Sequence, residues 1–132
     1  MFNFIKIAIG VGENDEIFNK GHFGESKKYF VYKYNISDKK MELLNTYLNT
    51  SPEEKMHGDP DKARNVTSII GDVDCILAHA LGQNIIRMKK KYLILISRSL
   101  NIGEALNNLP EKIDLILQEM AKKSDERKVL HI

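Results

Sequence analysis

The stretch Phe4-Ile5-Lys6-Ile7-Ala8-Ile9-Gly10 decides the fold. Phe4, Ile5, Ile7, Ala8 and Ile9 leave it no polar face, as in a strand covered on both sides of a sheet, so it belongs at the centre. Downstream, Val11 to Glu25 is irregular and contains Gly12, Gly21 and Gly24. Loops of that length tend to carry function. Tyr29 to Tyr34 then alternates and is rich in aromatic and β-branched residues. The polar turn Asn35 to Lys40 joins it to Met41 to Leu48, and the two segments read as an antiparallel hairpin. A second polar loop runs from Asn49 to Gly58.

Beyond that loop the apolar period becomes helical. Asp59 is placed to cap a helix and Pro60 suits its first turn, while Ala63, Val66, Ile69 and Ile70 form its apolar stripe. Gly71 closes it. Cys75 to Ala78 is a short buried strand. Gly82-Gln83-Asn84 opens a helix of about two turns carrying Ile85, Ile86 and Met88, and Tyr92 to Ile96 is a further buried strand. Asn101 and Glu104 have capping-box spacing ahead of Ala105, Leu106 and Leu109. After Pro110, a last helix places Ile113, Ile116, Leu117 and Met120 on one face. The order predicts a single α/β domain over residues 1–121. Its five-stranded mixed sheet, in the order 3-2-1-4-5, is flanked by helices, with the last strands reached by right-handed crossovers. Residues 122–132 are expected to be a charged, frayed tail.

Composition narrows the function classes. The chain has 132 residues, room for one domain, and a formal net charge of only +2 from 20 Lys+Arg and 18 Asp+Glu. That balance does not favour nucleic acid as a partner. The lone Cys75 excludes an intrachain disulfide framework or a thiolate cage and fits a reducing compartment. The run Phe4 to Val11 is too short to span a bilayer and is not followed by a small-residue cleavage site. The expectation is a soluble, cytoplasmic protein without a membrane partner, monomeric or homodimeric. The sequons at Asn35, Asn49 and Asn65 then carry no glycosylation meaning.

Open α/β sheets bind ligands beyond the carboxyl ends of their strands, where the chain direction switches; here that is between the first and fourth strands. His22-Phe23-Gly24, His57-Gly58 and His79-Ala80-Leu81-Gly82-Gln83-Asn84 converge on this edge. Histidine serves there as metal ligand or as acid and base. Cys75 begins a strand that rises about 3.3 Å per residue, so roughly 13 Å of backbone separates it from His79, and it reads as a buried small hydrophobe. Gly10-Val11-Gly12 lacks the third glycine of a dinucleotide loop, and no Walker A lysine follows any glycine run. The central strands have no carboxylates for a two-metal nuclease. Arg87 and Lys89-Lys90-Lys91, the densest basic run, read as the solvated end of a short helix.

Ile5-Lys6-Ile7-Ala8-Ile9, then His22-Phe23-Gly24 followed by Tyr29-Phe30-Val31-Tyr32, then Asp72 to Ala78 leading into Leu81-Gly82-Gln83-Asn84-Ile85, resemble the dinitrogenase iron-molybdenum cofactor family. The likeness spans about residues 4 to 110. It implies a ribonuclease H-like fold without nuclease activity. It also implies a non-enzymatic protein that carries an iron-sulfur or iron-molybdenum-type cluster between cofactor-assembly proteins. Carried onto this chain, it makes His22 the cluster ligand, with Phe23 beside it and backbone contacts from Gly24, Gly82 and Asn84. The chain departs from the family pattern at His79-Ala80, where many relatives have Gly-Gly, and at Gln83, where they have proline. With His79 gained, a His22, His57 and His79 site for a single metal ion is an alternative. A regulatory or protein-interaction domain that kept the fold without the cluster, and a His-metal hydrolase, are the rival readings.

Overall fold

The structure, a computed structural model, describes residues 3–50, 60–80, 82 and 87–132. Three strands form a meander: β1 (Phe4–Val11), β2 (Lys28–Asn35) and β3 (Met41–Leu48). Helix α1 (Pro60–Ile70) leads to β4 (Cys75–Ala78), and β5 (Leu93–Ile96) follows. Helices α2 (Ile102–Asn108) and α3 (Ile113–Met120) precede a final short strand, β6 (Leu130–His131). The sheet order is β3-β2-β1-β4-β5-β6. β1 pairs antiparallel with β2 and parallel with β4, and β5 lies parallel to β4. β1 is therefore central, with the chain reversal between it and β4.

The two faces of β1 are unequal, and that asymmetry positions the site. Ile5, Ile7, Ile9 and Val11 pack against α2 and α3 in one core, with Phe18 and Leu77. The opposite face offers Ala8 and Gly10. It packs with Phe23, Tyr29, Val66 of α1, Met88 and Tyr92 in a second core. Small residues on that face leave room for a bulky aromatic at the carboxyl end.

Local signals behave as their chemistry requires. Gly71 stops α1 with φ of 68°, the left-handed conformation glycine adopts without a Cβ penalty. Asn101 Oδ1 accepts from Glu104 N–H at 2.9 Å, capping α2. The Glu104 carboxylate reaches back through Ser99, whose hydroxyl donates to it at 2.6 Å and accepts from Asn101 N–H at 3.0 Å. The Asp59 cap and most of the helix expected from Gly82 lie outside the described residues, although Arg87 and Met88 are helical.

One expectation is corrected. The residues read as a frayed tail supply a sixth strand: Leu130 and His131 pair in parallel with Leu95 and Ile96. Ile132 is only 6% exposed within the first core. The segment is latched by Glu119, whose Oε2 accepts from Lys122 Nζ at 2.6 Å and whose Oε1 accepts from Lys128 N–H at 2.7 Å. Arg127 donates to Met120 O at 2.9 Å. The Arg127 bond satisfies the last carbonyl of α3, and the two to Glu119 hold the following segment against the helix end.

Candidate functional site

The loop after β1 is tied across the carboxyl edge by its backbone. Gly12 N–H donates to Ile17 O at 2.9 Å, Phe18 N–H to Leu100 O at 3.0 Å, and Ile102 N–H to Glu16 O at 2.9 Å. The chain then turns at His22, whose carbonyl accepts from Asn19 Nδ2 at 2.8 Å and from Glu25 N–H at 3.0 Å. A single 3-10 turn, Phe23–Glu25, follows.

Phe23 is the anchor of this turn. It is 2% exposed, its ring lies 5.0 Å from that of Tyr29, and a Cβ at Gly10 would come 3.0 Å from its Cδ1 and strike Ser26 Oγ. Gly10, which fails as part of a dinucleotide loop, is thus the notch that seats Phe23 on β1. The Phe23 carbonyl accepts from Ser26 Oγ at 2.7 Å and from Tyr29 Oη at 2.9 Å. Burial above all, then the Glu25 carboxylate, pushes the Tyr29 phenol well above its ordinary value, so it stays a proton donor despite an opposing effect from Ser26. Asn49 Nδ2 donates to Gly24 O and Ser26 O, each at 2.8 Å. The sequence does not mark Asn19, Ser26, Tyr29 and Asn49 as supports of this turn, because each acts through a backbone carbonyl brought near only by the fold.

On this rigid base His22 is partly exposed, with its ring against Gly82 from the loop after β4. A Cβ on Gly82 would lie 2.7 Å from His22 Cγ and 2.9 Å from Cδ2. Real side chains do not keep such distances, so the imidazole occupies a place that only glycine leaves. His22 and Gly82, 60 residues apart in sequence, therefore meet where β1 and β4 part.

His79 stands at the carboxyl end of β4. Its Nδ1 is 3.1 Å from the Ser97 carbonyl, which can only accept, so Nδ1 carries the hydrogen and Nε2 keeps the lone pair of the neutral ring. The ring stacks on Phe18 with centroids 6.5 Å apart. Ser97 Oγ donates to Ser99 O at 2.6 Å, a structural bond. His57 and Asn84, expected at this edge, lie outside the described residues. Among the described residues no three His, Cys, Asp or Glu side chains form a group able to hold a metal ion.

Cys75 occupies the opposite end of β4. It is a free thiol with no exposed surface. Burial above all, reinforced by Asp74 and opposed by Arg127, drives its pKa far upward, against the thiolate form. Asp74 itself accepts from Lys6 N–H at 2.8 Å and closes that end.

These features define an α/β domain whose candidate site is a glycine-backed imidazole at the carboxyl switch point of a mixed sheet. The chain belongs to the dinitrogenase iron-molybdenum cofactor family, whose model matches residues 5–112. The matched stretch contains β1 from Ile5 onward, the His22 turn, β4 and Gly82. The comparison with curated proteins gives no match. Among the described residues, no helix is long and apolar enough to cross a membrane.

Proposed function

We propose that the carboxyl edge of the sheet holds an iron-sulfur or iron-molybdenum-type metallocluster as cargo and passes it between cofactor-assembly proteins in the cytoplasm, without catalysing a reaction on it. The observation that carries this reading is His22 seated against Gly82, in a chain of the iron-molybdenum cofactor family. A carrier must release what it binds. One partly exposed imidazole on a fixed turn supplies an exchangeable ligand, and glycine amides from Gly24 and Gly82, with Asn84, would balance the charge of an anionic cluster. The single cysteine is sealed at the far end of β4, so the cluster is held without a protein thiolate.

Anaerobic reconstitution with iron and sulfide tests the assignment. Charge-transfer absorption is expected in the wild-type protein and should weaken in His22→Ala. An unchanged spectrum in the variant overturns the role of His22. Iron no higher than background in the wild-type protein overturns the carrier reading and favours a domain that keeps the fold for protein interaction.

A further inference from the structure

A cleft of about 390 Å³ lies between the β2–β3 hairpin and α2, on the first-core face of the sheet. Tyr32 and Tyr34 stand two residues apart on β2 and so share that face, opposite Ile7 and Ile5 in the register with β1. Tyr34 is 1% exposed, yet among the described residues its hydroxyl has no hydrogen-bond partner. No side-chain oxygen there is both fully buried and unpaired, so the hydroxyl is the part of Tyr34 that reaches open space, and the cleft it lines is that space. The Tyr32 hydroxyl is likewise unpaired among the described residues, on a ring held edge-on by Phe30 with centroids 6.2 Å apart. Polar groups on buried rings are ordinarily paired within the protein. These two are left to whatever enters the cleft.

The polar side chains on the cleft can all donate. Burial above all, with Asp38 acting on Tyr34 and Asp15 on Tyr32, pushes both phenols above their ordinary value and keeps them protonated. Lys39 brings a positive charge and Asn107 a side-chain amide, both exposed. No carboxylate is among the described residues that line the cleft. Of the two acids nearby, Asp15 is paired with Lys28, and Asp38 accepts from Lys40 N–H at 3.0 Å. Donors beside a cation select a negatively charged acceptor. The two oxygens of a carboxylate match the two hydroxyls, and one lysine balances its single charge. Met41 and Leu106, partly buried against the first core, give the rest of the wall an apolar surface suited to a ring. The volume is near the lower end of the roughly 300–1,000 Å³ common for small-molecule sites, so the ligand is compact.

We propose that this cleft binds a small aromatic carboxylate, its oxygens taking hydrogen bonds from Tyr32 and Tyr34 beside Lys39 and its ring lying on Met41 and Leu106. The site is separate from the His22 edge. Tyr34 and Tyr32 pair with the amino half of β1 on one face, whereas Phe23 seats the His22 turn at Gly10 on the other. The proposal therefore stands whether or not a cluster is carried.

Amide NMR titration of the full chain with phenylacetate, phenylacetamide and acetate tests it. Phenylacetate is expected to bind with a dissociation constant of about 1 mM, ordinary for a ligand of this size, and to shift the amides of Tyr32, Tyr34, Leu106 and Asn107. Phenylacetamide, without the charge, and acetate, without the ring, should each bind at least about fivefold more weakly. Tyr34→Phe deletes only the hydroxyl and should weaken phenylacetate about tenfold. Because no hydrogen bond within the protein is lost, its thermal midpoint should stay within about 2 °C of wild type. Lys39→Gln should weaken phenylacetate about fivefold. Shifts confined to other residues, no shifts with phenylacetate at about ten times the expected dissociation constant, or wild-type affinity in Tyr34→Phe or Lys39→Gln overturns the proposal. Phenylacetamide or acetate binding as tightly as phenylacetate overturns the ligand class.

Discussion

The two ends of β4, a four-residue strand, carry the chain's only thiol and one of its four histidines, and the fold treats them in opposite ways. At the amino end Cys75 is wholly buried, its thiol kept protonated, with the neighbouring Asp74 clamped to the backbone of Lys6. At the carboxyl end His79 is partly exposed with its Nδ1 hydrogen fixed by Ser97, and beyond it Gly82 backs His22. The soft ligand that would hold a cluster most tightly is sealed away, and the weaker imidazole is presented. Residue type alone would rank these sites the other way. Burial decides, because a thiolate cannot form where its charge finds no solvent.

The strongest way to break this contrast is to remove the base of the carboxyl end. Phe23→Ala deletes a buried ring and should cost about 3–5 kcal/mol in urea unfolding, loosening the His22 turn with it. Next, Cys75→Ser places a hydroxyl in the sealed amino end and should destabilise the chain by about 1–3 kcal/mol. The native thiol should also fail to react with a disulfide reagent until denaturant is added, and rapid native labelling would show that end to be open. Gly82→Ala should force the His22 ring aside, costing about 1 kcal/mol of stability and weakening cluster retention by about tenfold, the size typical of disturbing what orients a ligand. Equal retention would separate the His22 position from Gly82.

The smallest effect concerns the C-terminal latch. Hydrogen bonds from Lys122 and from the Lys128 backbone hold the Glu119 carboxyl below its ordinary value of 4.5. With a depressed folded value, its contribution is present above the unfolded value and is lost as pH falls through the folded one. Protection of residues 128–132 against amide exchange, taken relative to the intrinsic rate at each pH, should therefore fall on acidification below the ordinary value, and Glu119→Gln should flatten that dependence.

The legible parts of the fold are those set by local pattern. Met41–Leu48 and Cys75–Ala78 have the bounds their apolar runs suggest, and the order of the first five strands follows from the hairpin and the crossovers. β6 was not legible. Leu130 and His131 are too short for a period and sit among charges, and their pairing depends on Glu119 drawing in Lys128 from nine residues away. At the site, His22-Phe23-Gly24 and Gly82 could be singled out by residue type, but not the division of labour that buries Phe23 and exposes His22.

The contrast between the two ends of β4 is tested most directly by bound iron and sulfide per folded chain in Cys75→Ala and His22→Ala, reconstituted side by side without oxygen. Cys75→Ala is expected to retain the wild-type content and His22→Ala to lose most of it. A depleted Cys75→Ala beside an unaffected His22→Ala would contradict the account.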